Sequence, residues 1–235
     1  MGVVYLIPVT LGNSAPEDVI PNYALQVTRN LDFFMVENAK SARAFLKSIN
    51  SVYAMSEIEV IQIDKHGDNK LQIADALKIV SSGKNLGIMS ESGMPSIADP
   101  GSEVVRMAHQ LDIDVIPLVG PSSILLALSA SGLNGQGFSF HGYLPKDKEE
   151  KRSKIKELEM TIKKTGYTQI FIETPYRNEG IWLELLAQLS GETRICIASG
   201  ITTSDQFIKT LKVLEWRQKT PPKIKDIPTV FLLGR

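Results

Sequence analysis

Short apolar runs of strand length alternate along the chain with longer stretches whose apolar residues recur at helical spacing. Residues 3–7, 31–36 (LDFFMV) and Leu86–Met89 are continuous β-branched or large apolar runs, the pattern of strands covered on both faces. Residues 58–63 carry Ile58, Val60, Ile61 and Ile63 and read as a further strand. Between the runs, Ala42, Phe45, Leu46 and Ile49 define one amphipathic helix, which Ser41 is expected to cap. Apolar positions from Ile73 to Val80 define another, closed by Ser81-Ser82-Gly83. Pro21 restricts any helix in residues 16–24 to a start at or after it. His66-Gly67-Asp68-Asn69 reads as a turn with glycine in the left-handed region. This alternation predicts an α/β fold with a mostly parallel sheet.

The stretch from Leu86 to Gly132 organises the rest. It predicts a buried strand, a loop of small residues and prolines, a helix, a second strand at residues 115–119, and Gly120-Pro121-Ser122-Ser123 opening an apolar helix. Both loops follow strand C-termini, where open α/β sheets bind ligands. Gly93, Gly101 and Gly120 are expected to admit a bound molecule close to the backbone, and Pro95, Pro100 and Pro121 to hold the loop shape. Beyond Gly132 the pattern becomes mixed. Strands are predicted at Phe138–Tyr143 and at residues 169–173, 194–198, 206–210 and 229–233, and helices at 146–164, 181–189 and 213–218. The 146–164 helix is highly charged and reads either as a solvated amphipathic helix or as a basic face for phosphates. Residues 219–228 form a connection rich in proline and lysine. A domain boundary is expected near Leu118, giving 1–118 and 119–235.

Composition narrows the chemistry. Lys+Arg and Asp+Glu both number 26, so tight nucleic-acid binding would need a local basic patch. The single cysteine, Cys196, sits in an apolar run and reads as a buried strand residue, which fits a reducing, cytoplasmic setting. No run of eighteen apolar residues exists, so no membrane span is expected, and the N-terminus lacks the pattern of a signal peptide. His66, His109 and His141 are scattered, so no metal site is expected, and neither a Walker loop nor a dinucleotide fingerprint is present. Glycine- and proline-shaped strand ends suit a small neutral or zwitterionic ligand held by main-chain groups.

Several motifs then resemble one family. Ser90-Glu91-Ser92-Gly93-Met94-Pro95-Ser96-Ile97-Ala98-Asp99-Pro100-Gly101 is similar to S-D-A-G-T-P-x-I-S-D-P-G of tetrapyrrole (class III) methylases, in the branch that acts on small-subunit ribosomal RNA. Leu118 to Ser123 resembles its L-P-G-P-S-A, and FSFHGYLP, ending at Pro145, its F-x-F-x-G-F-L-P. Glu173-Thr174-Pro175-Tyr176-Arg177 resembles E-S-P-H-R, and the loop from Pro8 to Asn13 resembles T-P-I-G-N. The resemblance implies two α/β domains with S-adenosyl-L-methionine in the cleft between them, a homodimer, and methyl transfer to a ribose 2′-hydroxyl of rRNA. It further implies cofactor contacts from Pro8, Gly93, Met94, Pro95, Ser96 and Ile97, from Ser122, Ser123 and Ile124, and from Ala198 and Pro228.

The likeness is weaker on the substrate side. Val36-Glu37-Asn38-Ala39-Lys40 stands where the family has A-E-D-T-R, so an acid becomes an amide and an arginine fork becomes a lysine. Ser199 to Thr203 replaces R-E-L-T-K and loses two cations and a carboxylate. Glu37, Lys40 and Arg177 remain as candidate catalytic residues, with Glu91 as a further polar candidate. A tetrapyrrole or other acceptor, or a cofactor-binding paralogue without catalysis, stays open beside the rRNA reading.

Overall fold

The structure, a computed structural model, describes residues 1–64 and 67–235. His66, and with it the start of the expected 66–69 turn, lies outside the described residues. The chain divides into two compact units, Met1–Ser122 and Ser123–Arg235, whereas the sequence expectation placed the break after Leu118.

Unit 1 contains β1 (Val4–Ile7), α1 (Pro16–Val19), α2 (Asn22–Arg29), β2 (Phe33–Val36), α3 (Ala39–Ser48), β3 (Glu59–Gln62), α4 (Lys70–Ser81), β4 (Leu86–Met89), α5 (Gly101–Gln110) and β5 (Val115–Pro117). All pairings are parallel, in the order β3-β2-β4-β1-β5. Every residue of β2 and β4 is buried, while the edge strands β3 and β5 are partly exposed. That difference is why the central strands read as unbroken apolar runs.

Right-handed crossovers dictate which helix covers which face. Chain movement from β1 to β2 to β3 runs one way across the sheet, and from β3 to β4 to β5 the other. Accordingly Ala24 and Leu25 of α2 and Leu46 of α3 pack with Ile7, Phe34 and Val36. Ile73 and Leu77 of α4 and Val104 of α5 pack with Val4, Phe33 and Ile88 on the opposite face. Two local expectations change. A one-turn helix precedes Pro21, because Pro16 occupies its first turn, where the missing N–H costs nothing. Asn38, not Ser41, caps α3: its Oδ1 accepts from the backbone N–H of Lys40 (2.9 Å) and Ser41 (3.2 Å).

Unit 2 contains α6 (Ser123–Ser131), β6 (Phe138–Tyr143), α7 (Lys148–Thr165), β7 (Thr168–Ile172), a 3₁₀ turn at Pro175–Arg177, α8 (Asn178–Gln188), β8 (Arg194–Ser199), β9 (Phe207–Lys212), α9 (Val213–Trp216) and β10 (Thr229–Gly234). Its order is β6-β7-β10-β8-β9, with β6–β7 parallel and the rest antiparallel. On one face α7 and α8 bury Ile155, Leu158, Ile181 and Trp182 against Phe171, Ile197 and Phe231. Phe171 and Phe231 stack at 5.4 Å, and Trp216 donates its indole N–H to the Ile195 carbonyl. Cys196 points to the other face, where Thr210, its ladder partner, donates to the Ser131 carbonyl of α6. Burial pushes its thiol up, with a smaller opposing hydrogen bond from Thr210, so it behaves as a small core residue.

The charged α7 resolves as a solvated amphipathic helix. Arg152 pairs with Glu149 and Glu184, Lys154 with Glu157, and Lys163 with Glu159, so three of its seven cations are matched to glutamates. Asp147 caps it, held below the ordinary carboxylate range by the Glu150 backbone amide above all.

Glu159 does more than pair. Its Oε1 accepts from the Ser190 amide (2.7 Å) and the Thr193 hydroxyl (2.6 Å), tying the α8–β8 turn to α7. Burial raises its pKa, but those bonds and Lys163 outweigh it, and the net shift is downward. A lowered carboxylate stabilises the fold above its unfolded pKa and ceases to as pH falls through its folded value. Glu159→Gln should therefore cost about 1–2 kcal/mol at neutral pH. In urea titrations the gap to the parent chain should close as the medium becomes acidic, and a pH-independent gap would show that the charge is immaterial.

Candidate functional site

Three loops meet at the C-terminal edge of the unit 1 sheet. The amide of Val9, beyond β1, donates to the Gly93 carbonyl at 2.9 Å, joining the β1 and β4 loops. A Cβ on Gly120, beyond β5, would lie 2.1 and 2.3 Å from Pro8 Cβ and Cγ. Gly93 has φ +73°, and a Cβ there would meet Leu11 Cδ2 at 3.0 Å and the Pro121 carbonyl oxygen at 3.4 Å. The glycines expected to admit a ligand thus admit one another's loops. Gly101 likewise packs on Asp99 and Ser96.

The β4 loop is held in an unusual shape. Ser96 (φ +69°) and Ala98 (φ +62°) both adopt the left-handed region, which disfavours residues with a Cβ. The Asp99 Oδ1 fixes them by accepting from the Ser96 amide (2.9 Å) and the Gly101 amide (2.7 Å) as α5 begins. Among the residues expected to line a cofactor, Pro8, Gly93 and Pro95 are buried, Met94 and Ser96 half-buried, and Ile97 exposed. These belong to one connected group of loops. Ser122, Ser123 and Ile124 are half-buried and follow directly on the β5 loop.

At the same edge, neighbours β2 and β4 send their loops to opposite faces, the arrangement that opens a crevice in α/β sheets. Glu37 and Glu91 meet there, the Glu91 amide donating to Glu37 Oε2 at 3.3 Å. The Ser41 hydroxyl lies 3.4 Å from Glu91 Oε1. Beside them is a cavity of about 510 Å³ lined by Thr10, Ser14, Ser41, Phe45, Ser90 and Glu91, among others, with no lysine or arginine in its wall. Lys40 is exposed on the first turn of α3 and makes no ion pair among the described residues. The amide at position 38, which counted as a departure on the substrate side, is explained by capping, a role an aspartate fills equally well.

None of the expected cofactor residues lines this cavity. The cavity is not legible in the sequence, where Ser41 reads as a helix cap. Ser41, Phe45 and Ser48 at helical spacing were the available signal, a hydroxylated stripe on α3.

In unit 2, the Gly200 amide donates to the Pro228 carbonyl at 3.0 Å and Ala198 pairs with Val230, so Ala198 and Pro228 lie on adjacent strand ends, two residues apart in register. Alternation puts Glu173, Thr229 and Ser199 in one row on the α8 side of the sheet edge. Glu173 is buried. Its Oε1 accepts from the Thr174 amide (2.7 Å) and hydroxyl (3.2 Å), with Arg177 Nη1 at 3.8 Å. Glu173 Oε2, Asn178 Oδ1 and Ser199 Oγ are buried without a hydrogen-bond partner among the described residues, a concentration of unmet polar atoms of the kind that marks binding sites.

A family model for the tetrapyrrole (corrin/porphyrin) methylases matches residues 4–215. The chain belongs to this family. Among curated relatives, the ribosomal RNA small subunit methyltransferase I of Bacillus subtilis is 34% identical over 89% of this chain and 67% of its own length. The protein of the same name from Vibrio cholerae is 31% identical over 91% of this chain and 69% of its own. Two solved structures share the fold at 16% identity, each covering 100% of this chain. They are the methyltransferase CobJ (TM-score 0.65, 95% of that chain) and a uroporphyrin-III-C-methyltransferase from Thermus thermophilus (TM-score 0.55, 94% of that chain). This member of the tetrapyrrole methylase family is accordingly a methyltransferase with two α/β sheets. No helix among its described residues is long and apolar enough to cross a membrane.

Proposed function

We propose that this methylase uses S-adenosyl-L-methionine to methylate a ribose 2′-hydroxyl of small-subunit rRNA. The observation that carries the reading is the extended likeness, at 31–34% identity over about nine-tenths of the chain, to relatives whose names state small-subunit rRNA as their target. When bound, the donor supplies an electrophilic methyl group on a sulfonium centre. The chemistry of the connected loops fits such a molecule: glycine- and proline-shaped strand ends present main-chain groups that suit a small zwitterionic ligand.

In this reading the connected loops at Pro8, Gly93 to Ile97 and Ser122 hold the donor, and Ala198 and Pro228 keep the donor-contacting role that the resemblance gives them. The neighbouring cavity takes the acceptor sugar. Thr10, Ser41 and Ser90 orient its hydroxyls, and the Glu91 carboxylate receives the proton of the reacting hydroxyl as the new C–O bond forms. Glu37, whose carboxylate holds the Glu91 amide, positions that acid and does not itself take the proton. A homodimer is part of the proposal, and sedimentation of the purified chain tests it.

The decisive experiment incubates the chain with methyl-labelled donor and small subunits that lack the modification, then digests the RNA to nucleosides. Label in a 2′-O-methylnucleoside supports the reading. Label only on a base, or only on an added tetrapyrrole, sinks it.

A further inference from the structure

We propose that the proline- and lysine-rich segment between α9 and β10, clasped against the Pro175–Arg177 turn, forms a docking surface for single-stranded RNA on unit 2. Tyr176 stacks a base there, and Arg177, Lys223 and Lys225 contact phosphates. The inference rests on the rRNA reading above and adds where that substrate is gripped.

The surface is assembled by one buried side chain. Asn178, fully buried at the start of α8, donates through Nδ2 to the Ile224 carbonyl (3.0 Å) and the Ile227 carbonyl (2.7 Å). The Asp226 amide closes the clasp on the Pro175 carbonyl at 3.2 Å. Residues some fifty positions apart are thereby laid side by side, with Ile224 buried beneath and Lys223 and Lys225 exposed on either side of it. Pro221 and Pro222 stiffen the approach to this segment.

Tyr176 is 66% exposed, an unusual position for a large ring with no core to fill. The Arg177 guanidinium lies 5.3 Å from its ring centroid, and its link to Glu173, at 3.8 Å, exceeds hydrogen-bond length. Its N–H donors make no hydrogen bond among the described residues. An exposed ring beside a guanidinium that is ion-paired to Glu173 but keeps its N–H donors free of hydrogen bonds is a combination that takes an unstacked base and its phosphate. Lys223 and Lys225 form no ion pair among the described residues, so both exposed ammonium groups are available to phosphates. The nearby acids are Glu179 and Asp226, both exposed, and the buried Glu173. Neither Glu179 nor Asp226 makes an ion pair with these lysines.

The test titrates the chain of 235 residues into a short fluorescein-labelled single-stranded RNA across a range of salt. Replacing both Lys223 and Lys225 by alanine should weaken binding about 3- to 10-fold at low salt and flatten the slope of log affinity against log salt by about 1.4, near 0.7 for each lost phosphate contact. Tyr176→Ala should weaken binding about 5-fold or more with the slope unchanged, and Tyr176→Phe should restore it, because stacking needs the ring and not the hydroxyl. Alanine variants that bind like the parent overturn the proposal, as does a Tyr176→Phe chain as weak as Tyr176→Ala. Loss of a carboxylated tetrapyrrole's binding with RNA binding intact also overturns it and assigns the patch to that macrocycle. Failure of the wider reading looks different: the parent chain itself then neither binds RNA nor labels small subunits.

Discussion

Gly120→Ala should lower the melting temperature of unit 1 by roughly 4–10 °C and abolish donor binding together with methyl transfer. The added Cβ would fall 2.1 Å from Pro8 Cβ and 2.3 Å from Cγ, far inside van der Waals contact. A proline ring has no rotamer through which to retreat, so the clash must be relieved by moving a backbone. Overpacking of this kind costs about 1–3 kcal/mol, which for a chain of this size corresponds to several degrees. The functional loss follows from connectivity. The β5 loop rests on Pro8, and the β4 loop is bonded to Val9, so displacing one displaces the others. Gly180→Ala is the matched control. That glycine is exposed within α8 with no atom within 4 Å of an added Cβ, and alanine there should stabilise by about 0.5–1 kcal/mol. Calorimetric melting with and without donor reads both. If Gly120→Ala melts like the parent and binds donor normally, the three loops do not act as a unit.

Glu91→Gln should reduce methyl transfer about 100-fold while leaving donor affinity within about twofold, the size expected when a positioned proton acceptor is lost. Glutamine preserves the reach to Ser41 and the backbone contact to Glu37, and removes only the negative charge. Single-turnover transfer to small subunits, paired with calorimetric titration of the donor, separates the two quantities. An equal loss in both would place Glu91 against the donor instead of the acceptor, and an unchanged rate would remove it from the chemistry. Glu37→Gln, by weakening the hold on the Glu91 amide, should give a milder loss in the same direction.

Much of the site lay open in the primary structure, but not how its parts are used. The loops at Pro8, Ser90 to Gly101 and Leu118 to Ser123 could be placed at strand ends because buried apolar runs, prolines and glycines mark such ends locally. That Gly120 leaves room for Pro8 could not be read: the contact joins positions more than a hundred residues apart. Asn38 shows a role of another kind: the sequence marks it as an amide where the family has an acid, and the structure adds that its side chain caps α3 through its own near neighbours. Arg177 and the lysines at 223 and 225 were each visible, yet nothing local foretold that Asn178 would clasp their two segments together.

The sequence alone determined the kinds of element and their order along the chain, because a strand covered on both faces must be apolar throughout and a helix against a sheet must show an apolar stripe. It also carried the motifs that identify a methylase. Only the tertiary structure decided the strand orders β3-β2-β4-β1-β5 and β6-β7-β10-β8-β9, and with them which loops meet, which glycines are indispensable and where the cavity opens. The reason is that adjacency in a sheet is set by the path of the crossovers and the packing of whole helices. Both are properties of the assembled chain that no short window of residues contains.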